Sequence, residues 1–204
     1  FDNLNSIDDV ISALAQMHAK RPSMAQAIVK LNEGVSGEGN ATVDLSNLSA
    51  PTEAAIAERV RAMRFEHSEV NFDEYAAKFC ARGGVVEERV GVGAKEVRSP
   101  SVQLRVTPLG NVELLSTHDQ MLGGPTGQSY LGCIFPADPA YAVAITRDAA
   151  KVGELLRDAG VIGRFAIDFV VTRAHNSASW ETYAIEINLR KGGTTHPFLT
   201  LHFL

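Results

Sequence analysis

Cysteine is scarce in this 204-residue chain, with only Cys80 and Cys133, and their spacing is not that of metal ligands. Both sit in apolar contexts, Lys78-Phe79-Cys80 and Leu131-Gly132-Cys133-Ile134-Phe135, and are expected as reduced core thiols of a cytoplasmic protein. An excess of positive charge is also lacking. The net charge is -5, with acids and bases interspersed, which argues against a general nucleic-acid binder. No apolar run approaches the ~20 residues needed to span a bilayer, and no signal-peptide n-region or h-region opens the chain, so it reads as soluble and free of membrane. Internal repeats and low-complexity linkers are absent as well. With 45% hydrophobic and 21% charged residues, the composition is that of an ordinary globular protein, long enough for one large domain or two small ones.

Helix and strand signals then follow in order. Ser6-Ile7-Asp8-Asp9 offers an N-cap before Val10, Ile11, Leu14 and Met17, which recur at helical spacing to about Lys20. Ala27–Leu31 and Ala41–Leu45 are strand-like and flank a glycine-rich turn, Asn32–Asn40. Pro51-Thr52-Glu53 opens a helix to about Met63, and Asn71-Phe72-Asp73-Glu74 opens another that stops at Gly83-Gly84. Strands are expected at Val85–Val90, Ser101–Thr107, Val112–Ser116 and Tyr130–Phe135. After them Asp138-Pro139 starts a long helix with Ala142, Ile145, Ala149, Val152 and Leu156 as its apolar stripe, ended by Gly160. The pattern is α+β with mostly antiparallel strands.

The richest stretch lies late in the chain. Tyr183–Arg190, read at strand period, sends Glu186, Asn188 and Arg190 to one face and leaves Ala184, Ile185, Ile187 and Leu189 as apolar surface. A carboxylate, an amide oxygen and a guanidinium together suit a hard cation holding a phosphate. Upstream, Gly163–Val171 is a strong strand with one acid, Asp168, followed by the turn-rich Ala174–Ser179. Folding the two strands about Ser177 or Ala178 sets Asp168 opposite the Glu186–Asn188 segment, where facing side chains lie within about 5 Å. This register assumes a symmetric turn. Two carboxylates that close require a positive charge between them, such as Mg²⁺ bridging nucleotide phosphates.

Near the other end, Lys30 closes a strand just before Gly34, Ser36, Gly37 and Gly39, small residues whose backbone N–H groups can approach an anion closely. This is not a Walker loop, since it has no Gly-Lys-Ser/Thr and no helix directly after it, and the glycine spacing is not that of a dinucleotide fold.

In the order Lys30, Gly34–Gly39, Asp168, Glu186, Asn188 and Arg190, the chain resembles the ATP-grasp superfamily. It is most similar to the carboxylate–amine ligase branch that includes the pheganomycin-type peptide ligases, judged by Glu186–Pro197 and by Ser116-Thr117-His118-Asp119-Gln120. The resemblance implies an α+β ATP-grasp fold of two subdomains, residues 1–84 with the lysine strand and glycine-rich loop, and residues 85–204 with a hinge strand and a Mg²⁺-binding hairpin. It implies ATP and Mg²⁺ as cofactors, a carboxylate and an amine of small-molecule or peptide type as substrates, and an acylphosphate intermediate. A non-catalytic ATP-binding regulatory or scaffold module of the same fold is the alternative it leaves, with a phosphotransferase or carboxylase as a further one.

Residue by residue, the resemblance gives Asp168, Glu186 and Asn188 to the metal and Arg190 to transition-state charge. Lys30, Gly34, Ser36, Gly37 and Gly39 fall to the phosphates. Glu87, Glu88 and Val90 of the hinge strand, with Glu96 near the ribose, fall to the rest of the nucleotide. His118, Asp119, Gln120, Gly193, Thr194 and His196 are candidates for substrate contact. Phe1 at the start and the apolar run Thr200–Leu204 at the end make the chain read as a piece of a longer protein lacking an N-terminal domain, and leave room for a homo-oligomer.

Overall fold

A computed structural model describes residues 1–33, 39–48, 52–201 and 203. In chain order the elements are α1 (Ile7–Lys20), β1 (Gln26–Leu31), β2 (Asn40–Asp44), α2 (Glu53–Arg61), β3 (Arg64–Phe65), α3 (Phe72–Arg82) and β4 (Gly84–Glu88). There follow β5 (Glu96–Arg98), β6 (Pro100–Val106), β7 (Val112–Gly123), β8 (Ser129–Ile134), α4 (Pro139–Asp158), β9 (Gly163–Arg173), β10 (Glu181–Asn188) and α5 (Thr195–Leu201). The chain divides into two compact units, Phe1–Val92 with Gly123–Tyr130, and Gly93–Leu122 with Leu131–Leu204.

The first unit carries a four-stranded antiparallel sheet in the order β3-β2-β1-β4. Its helices start where side chains accept the free first-turn N–H groups: Ser6 from Asp9, Thr52 from Ala55, and Asn71 from Glu74. Gly83 ends α3 at φ +69°, a conformation that favours glycine. Ala27, Val29, Ala41, Val43 and Val86 point one way from the sheet and bury against Leu14, Ile56, Val60, Tyr75 and Phe79 of the helices. The pairs Lys30↔Asn40, Lys30↔Val85 and Ile28↔Glu87 put Lys30, Asn40 and Glu87 on the opposite face.

The second unit carries a sheet in the order β10-β9-β6-β7-β8, with β5 also on β9, continuing the edge that β6 begins. Val102, Leu104, Phe165, Ile167, Phe169 and Val171 face α4, which answers with Tyr141, Ile145 and Ala149. Ala142, Val152 and Leu156 of the expected stripe lie at the margin of that contact, partly buried.

Two expectations are corrected. The boundary falls after Val92 rather than after Gly84, because β4 pairs with β1 along its whole length, and the segment Gly123–Tyr130 joins the first unit. Cys80 is exposed and Cys133 half-buried, so both are free but neither is a core thiol. Cys80 sits one place beyond the Tyr75 and Phe79 stripe of α3. The apolar side chains of β10 are largely open: Tyr183 is 39% and Ile187 47% exposed. Pro51 lies outside the described residues, and α2 begins at Glu53. No helix among the described residues is long and apolar enough to cross a membrane.

Gly84 is where β4 comes closest to its neighbours, since a Cβ there would lie 2.3 Å from the Lys30 carbonyl oxygen and 2.3 Å from Phe79 Cε2. Gly84→Ala is expected to cost about 1–3 kcal/mol as overpacking and to lower the melting temperature of the intact protein by several degrees. An unchanged melting temperature would contradict this packing.

Candidate functional site

A single irregularity in strand pairing assembles the acidic site. From Glu181↔Thr172 to Ala184↔Phe169 the β9/β10 register is regular. It then shifts, so that Glu186 faces Asp168 and Asn188 faces Ala166. Without the shift Ile185 would oppose Asp168. The extra residue of the bulge, Ile185, lets Glu186 come round to the face that bears Asp168. Asn188 Nδ2 donates to Asp168 Oδ2 at 3.0 Å, which leaves the amide oxygen of Asn188 unspent.

Burial raises the Asp168 pKa to about 6, and the Glu186 charge adds to the effect, while hydrogen bonds from Ser101 and Asn188 and the charge of Arg190 oppose it. Asp168 is thus a carboxyl short of positive charge. Arg190 stands two residues beyond Asn188, exposed, with Nη1 3.5 Å from the Lys191 carbonyl oxygen. Among the described residues no group of three or more His, Cys, Asp or Glu side chains is placed to hold a metal ion. The set here is two carboxylates and an amide, oxygen donors that fit a hard divalent cation completing its shell with other oxygens.

The same sheet face continues across β6 and β7. Ser101 pairs with Asp168 on one side and His118 on the other, and Gln103 pairs with Ala166 and Ser116. Gln103 Nε2 donates to Ser116 Oγ at 3.0 Å and lies 3.5 Å from the Thr194 carbonyl oxygen, which holds the turn after β10 onto this face. Within that turn Gly192 N–H donates to Thr195 Oγ1 at 3.1 Å. Thr194 and Thr195 are buried, whereas Gly193 and His196 are exposed.

His118 is fully buried against Phe135, with 5.1 Å between ring centroids, and neither ring nitrogen has a hydrogen-bond partner. Burial pushes it down to about 4, so it is neutral at pH 7. The strand expected to end at Ser116 therefore runs on and makes His118 a buried strand position. Gln120, two residues on, shares its face. Asp119 takes the other face, accepting from the Tyr141 hydroxyl at 2.7 Å and from the Asp138 N–H at 2.9 Å, so it fastens the start of α4.

In the first unit, Lys30 Nζ lies 2.6 Å from Glu87 Oε2, while Glu88 is paired with Arg21. Gly39, at φ +88°, closes the glycine-rich segment; its carbonyl accepts from Leu31 N–H at 3.1 Å and from the Tyr75 hydroxyl at 2.9 Å. Gly34, Ser36 and Gly37 lie outside the described residues. Val90 is half-buried in the turn after β4. Glu96 belongs to β5 in the second unit, where Arg173 opposes it and binds its carboxylate. Arg173 is an odd-numbered residue of β9, on the α4 side of the sheet, so Glu96 stands on the face opposite Asp168.

The residues missed from sequence are Ser101, Gln103 and Tyr75. Ser101 and Gln103 alternate with Val102, Leu104 and Val106, so the period itself put them on the polar face. The role of Tyr75 carried no local signal. A cleft of about 470 Å³ lined by Met24, Ala25, Leu45 and Asn47 lies at the opposite end of β1 from Lys30 and carries no ionisable side chain.

These features define an ATP-grasp fold. The family model described as IQCH-like, ATP-grasp matches residues 54–194, and the chain belongs to that family. It is 31% identical over 196 residues to the L-propargylglycine–L-glutamate ligase of Streptantibioticus cattleyicolor, covering 95% of this chain and 37% of that protein. It is 23% identical over 217 residues to IQ motif-containing protein H of Danio rerio, covering 92% of this chain and 20% of that one. The chain thus spans roughly a third or less of these relatives. Among solved structures, the fold is shared with biotin carboxylase of Campylobacter jejuni, at TM-score 0.62 and 18% identity over 93% of this chain and 36% of the other. It is also shared with D-alanyl-alanine synthetase A of Vibrio cholerae, at TM-score 0.57 and 16% identity over 95% and 51%.

A folded pKa above the unfolded one means that the folded chain holds the Asp168 proton more tightly. The stability this contributes is full below about pH 4, the ordinary aspartate value, and is lost as pH rises through about 6. Without divalent cation, stability should fall across that window, and Asp168→Asn should flatten the fall and melt no lower than wild type at pH 7.5. Thermal unfolding across pH checks this. A variant that melts well below wild type at pH 7.5 would contradict it.

Proposed function

We propose that this chain is the ATP-binding and catalytic domain of a Mg²⁺-dependent ligase that joins a carboxylate to an amine through an acylphosphate. The observation that carries the proposal is the convergence of Asp168, Glu186 and Asn188 on one sheet face, with a buried carboxyl short of positive charge. Those three residues would hold Mg²⁺, which when bound neutralises phosphate charge. Lys30, now paired with Glu87, and the loop ending at Gly39 would take the phosphates, and the Val86–Val90 backbone would take the base.

Two steps follow from this reading. A substrate carboxylate oxygen attacks the γ-phosphorus, the bond from that phosphorus to the β–γ bridging oxygen breaks, and ADP leaves with the electron pair. An amine nitrogen then attacks the acyl carbon, inorganic phosphate departs, and the nitrogen loses its proton. Arg190, exposed and reaching the Lys191 carbonyl, would meet the charge that builds on the transferring group and on the tetrahedral oxyanion. Gly193, Thr194, His196 and Gln120 would flank the acyl group, and the buried His118 is left out. The relative named as joining L-propargylglycine to L-glutamate favours amino-acid or short-peptide substrates. Asp119 and Glu96 are left out of the site, since Tyr141 and Arg173 engage them.

The test uses the intact protein with a panel of amino acids, ATP and Mg²⁺. Formation of ADP should be Mg²⁺-dependent, hydroxylamine should trap an acyl hydroxamate, and Glu186→Ala should reduce both by about a hundredfold to a thousandfold, the scale on which one lost electrostatic contact in a reacting site acts, with the fold retained. Wild-type turnover in that variant would overturn the metal assignment. Nucleotide binding with no ADP formed from any acid and amine pair would favour a non-catalytic module of the same fold.

A further inference from the structure

Glu66 is a carboxylate at 3% exposure, and neither the sequence motifs nor the proposed chemistry uses it. It follows β3, in which Phe65 pairs with Ala41 of the core and Arg64 with Thr42 of the other face, so strand alternation returns Glu66 to the face of Arg64, Thr42, Asn40 and Lys30. A buried carboxylate is costly unless hydrogen bonds satisfy it. Here the Thr126 N–H donates to it at 3.1 Å, and the hydroxyls of Thr126 and Ser129 donate as well. Burial alone would raise its pKa, but these donors outweigh burial and hold it below the usual glutamate range.

All three donors come from one segment, Gly123–Tyr130, which runs from the end of β7 into the start of β8 and belongs to the first unit. Its shape is matched to the acid. Gly124 has φ +84°, and a Cβ on it would lie 1.8 Å from Glu66 Oε1. Arg89 Nη2 donates to the Thr126 carbonyl at 2.9 Å and Arg89 Nη1 to Gln26 Oε1 at 3.2 Å, a second tie to the sheet. From this fixed segment, Gln128 reaches Asn40. Gln128 Nε2 donates to Thr126 Oγ1 at 3.1 Å, and Gln128 Oε1 accepts from Asn40 Nδ2 at 2.8 Å. Asn40 directly follows Gly39 and pairs with Lys30.

We propose that Glu66 is a positioning residue for phosphate binding: it fixes the Gly123–Tyr130 segment so that Gln128 holds Asn40, and with it the closing end of the glycine-rich loop beside Lys30. The inference rests on the reading of Lys30 and that loop as the phosphate site. Glu66 itself touches no substrate. Its effect travels through three side-chain contacts, Glu66 to Thr126, Thr126 to Gln128 and Gln128 to Asn40, which variants at Glu66 and Gln128 cut from opposite ends.

The experiment measures binding of the non-hydrolysable analogue AMP-PNP with Mg²⁺ to the intact protein, alongside melting temperature, for Glu66→Ala, Gln128→Ala, the double variant and Lys30→Ala. Gln128 is half-buried and its loss should leave the fold intact. Glu66→Ala and Gln128→Ala should each weaken binding about fivefold to tenfold, the scale of one lost hydrogen bond. The double variant should be no weaker than Glu66→Ala alone, since both cut one chain of contacts. If Glu66→Ala lowers the melting temperature while Gln128→Ala leaves affinity unchanged and Lys30→Ala weakens it, Glu66 is merely structural and the inference fails while the phosphate reading stands. If Lys30→Ala also leaves affinity unchanged, both fail.

Discussion

The one-residue bulge at Ile185 is the constraint on which the rest depends. Strand pairing has a period of two, so a slip of one residue exchanges faces along the whole strand. Upstream of the bulge, β10 sends Thr182 toward α4, where its hydroxyl meets Asp148 at 3.1 Å. Downstream, the shifted register sets Glu186 against Asp168 and Asn188 against Ala166 on the opposite face. The bulge thus lets one strand dock on a helix at one end and present an acidic site at the other. Burying one carboxyl opposite a second opposes folding, and the raised pKa of Asp168 reflects its burial first and the Glu186 charge second. The apolar contacts of β6 and β9 with α4 are extensive enough to tolerate it.

Both units follow one plan. Each sheet buries one face under helices and keeps polar side chains on the other: Lys30, Asn40, Thr42 and Glu66 in the first, Ser101, Gln103, His118, Asp168 and Asn188 in the second. Most polar groups on such a face are satisfied from within, with Thr42 and His118 as exceptions. Turns and the element ends beside them do that work. Gly123–Tyr130 meets Glu66, Asn40 and Arg89, and the Gly192–Thr195 turn meets Gln103. Glycines recur there because backbone must come close to side chains, as at Gly124.

Much of this was legible in the residues. Cap residues Ser6, Asn71 and Asp138 marked helix starts because short polar side chains there satisfy free N–H groups, a local effect. Strand alternation placed Asp168 and Glu186 together, although a symmetric turn about Ser177 reached the right pair where the structure uses an earlier turn and a bulge. What was not legible is non-local. The three-residue β5 has too short a pattern to stand out, so Glu96 read as a nucleotide contact when its partner Arg173 lies far along the chain. His118 fell outside the expected strand Val112–Ser116 because Thr117, Asp119 and Gln120 surround it, while β7 in fact runs on to Gly123 and buries it. Glu66 and Thr126 are 60 residues apart, and nothing in either neighbourhood signals the other. β4 was assigned to the wrong unit for the same reason, since its partner β1 lies beyond two helices.

The central claim is that the facing carboxylates Asp168 and Glu186, brought together by the bulged register of β10, form a cation-dependent nucleotide site. Its most direct test is calorimetric titration of AMP-PNP into the intact protein, with and without Mg²⁺, beside an Asp168→Asn, Glu186→Gln double variant. The double variant removes both carboxylate charges and keeps the bulged register. Mg²⁺-dependent binding in the wild type that is lost in the folded double variant is the predicted result. Equal Mg²⁺-dependent affinity in both proteins would contradict the account.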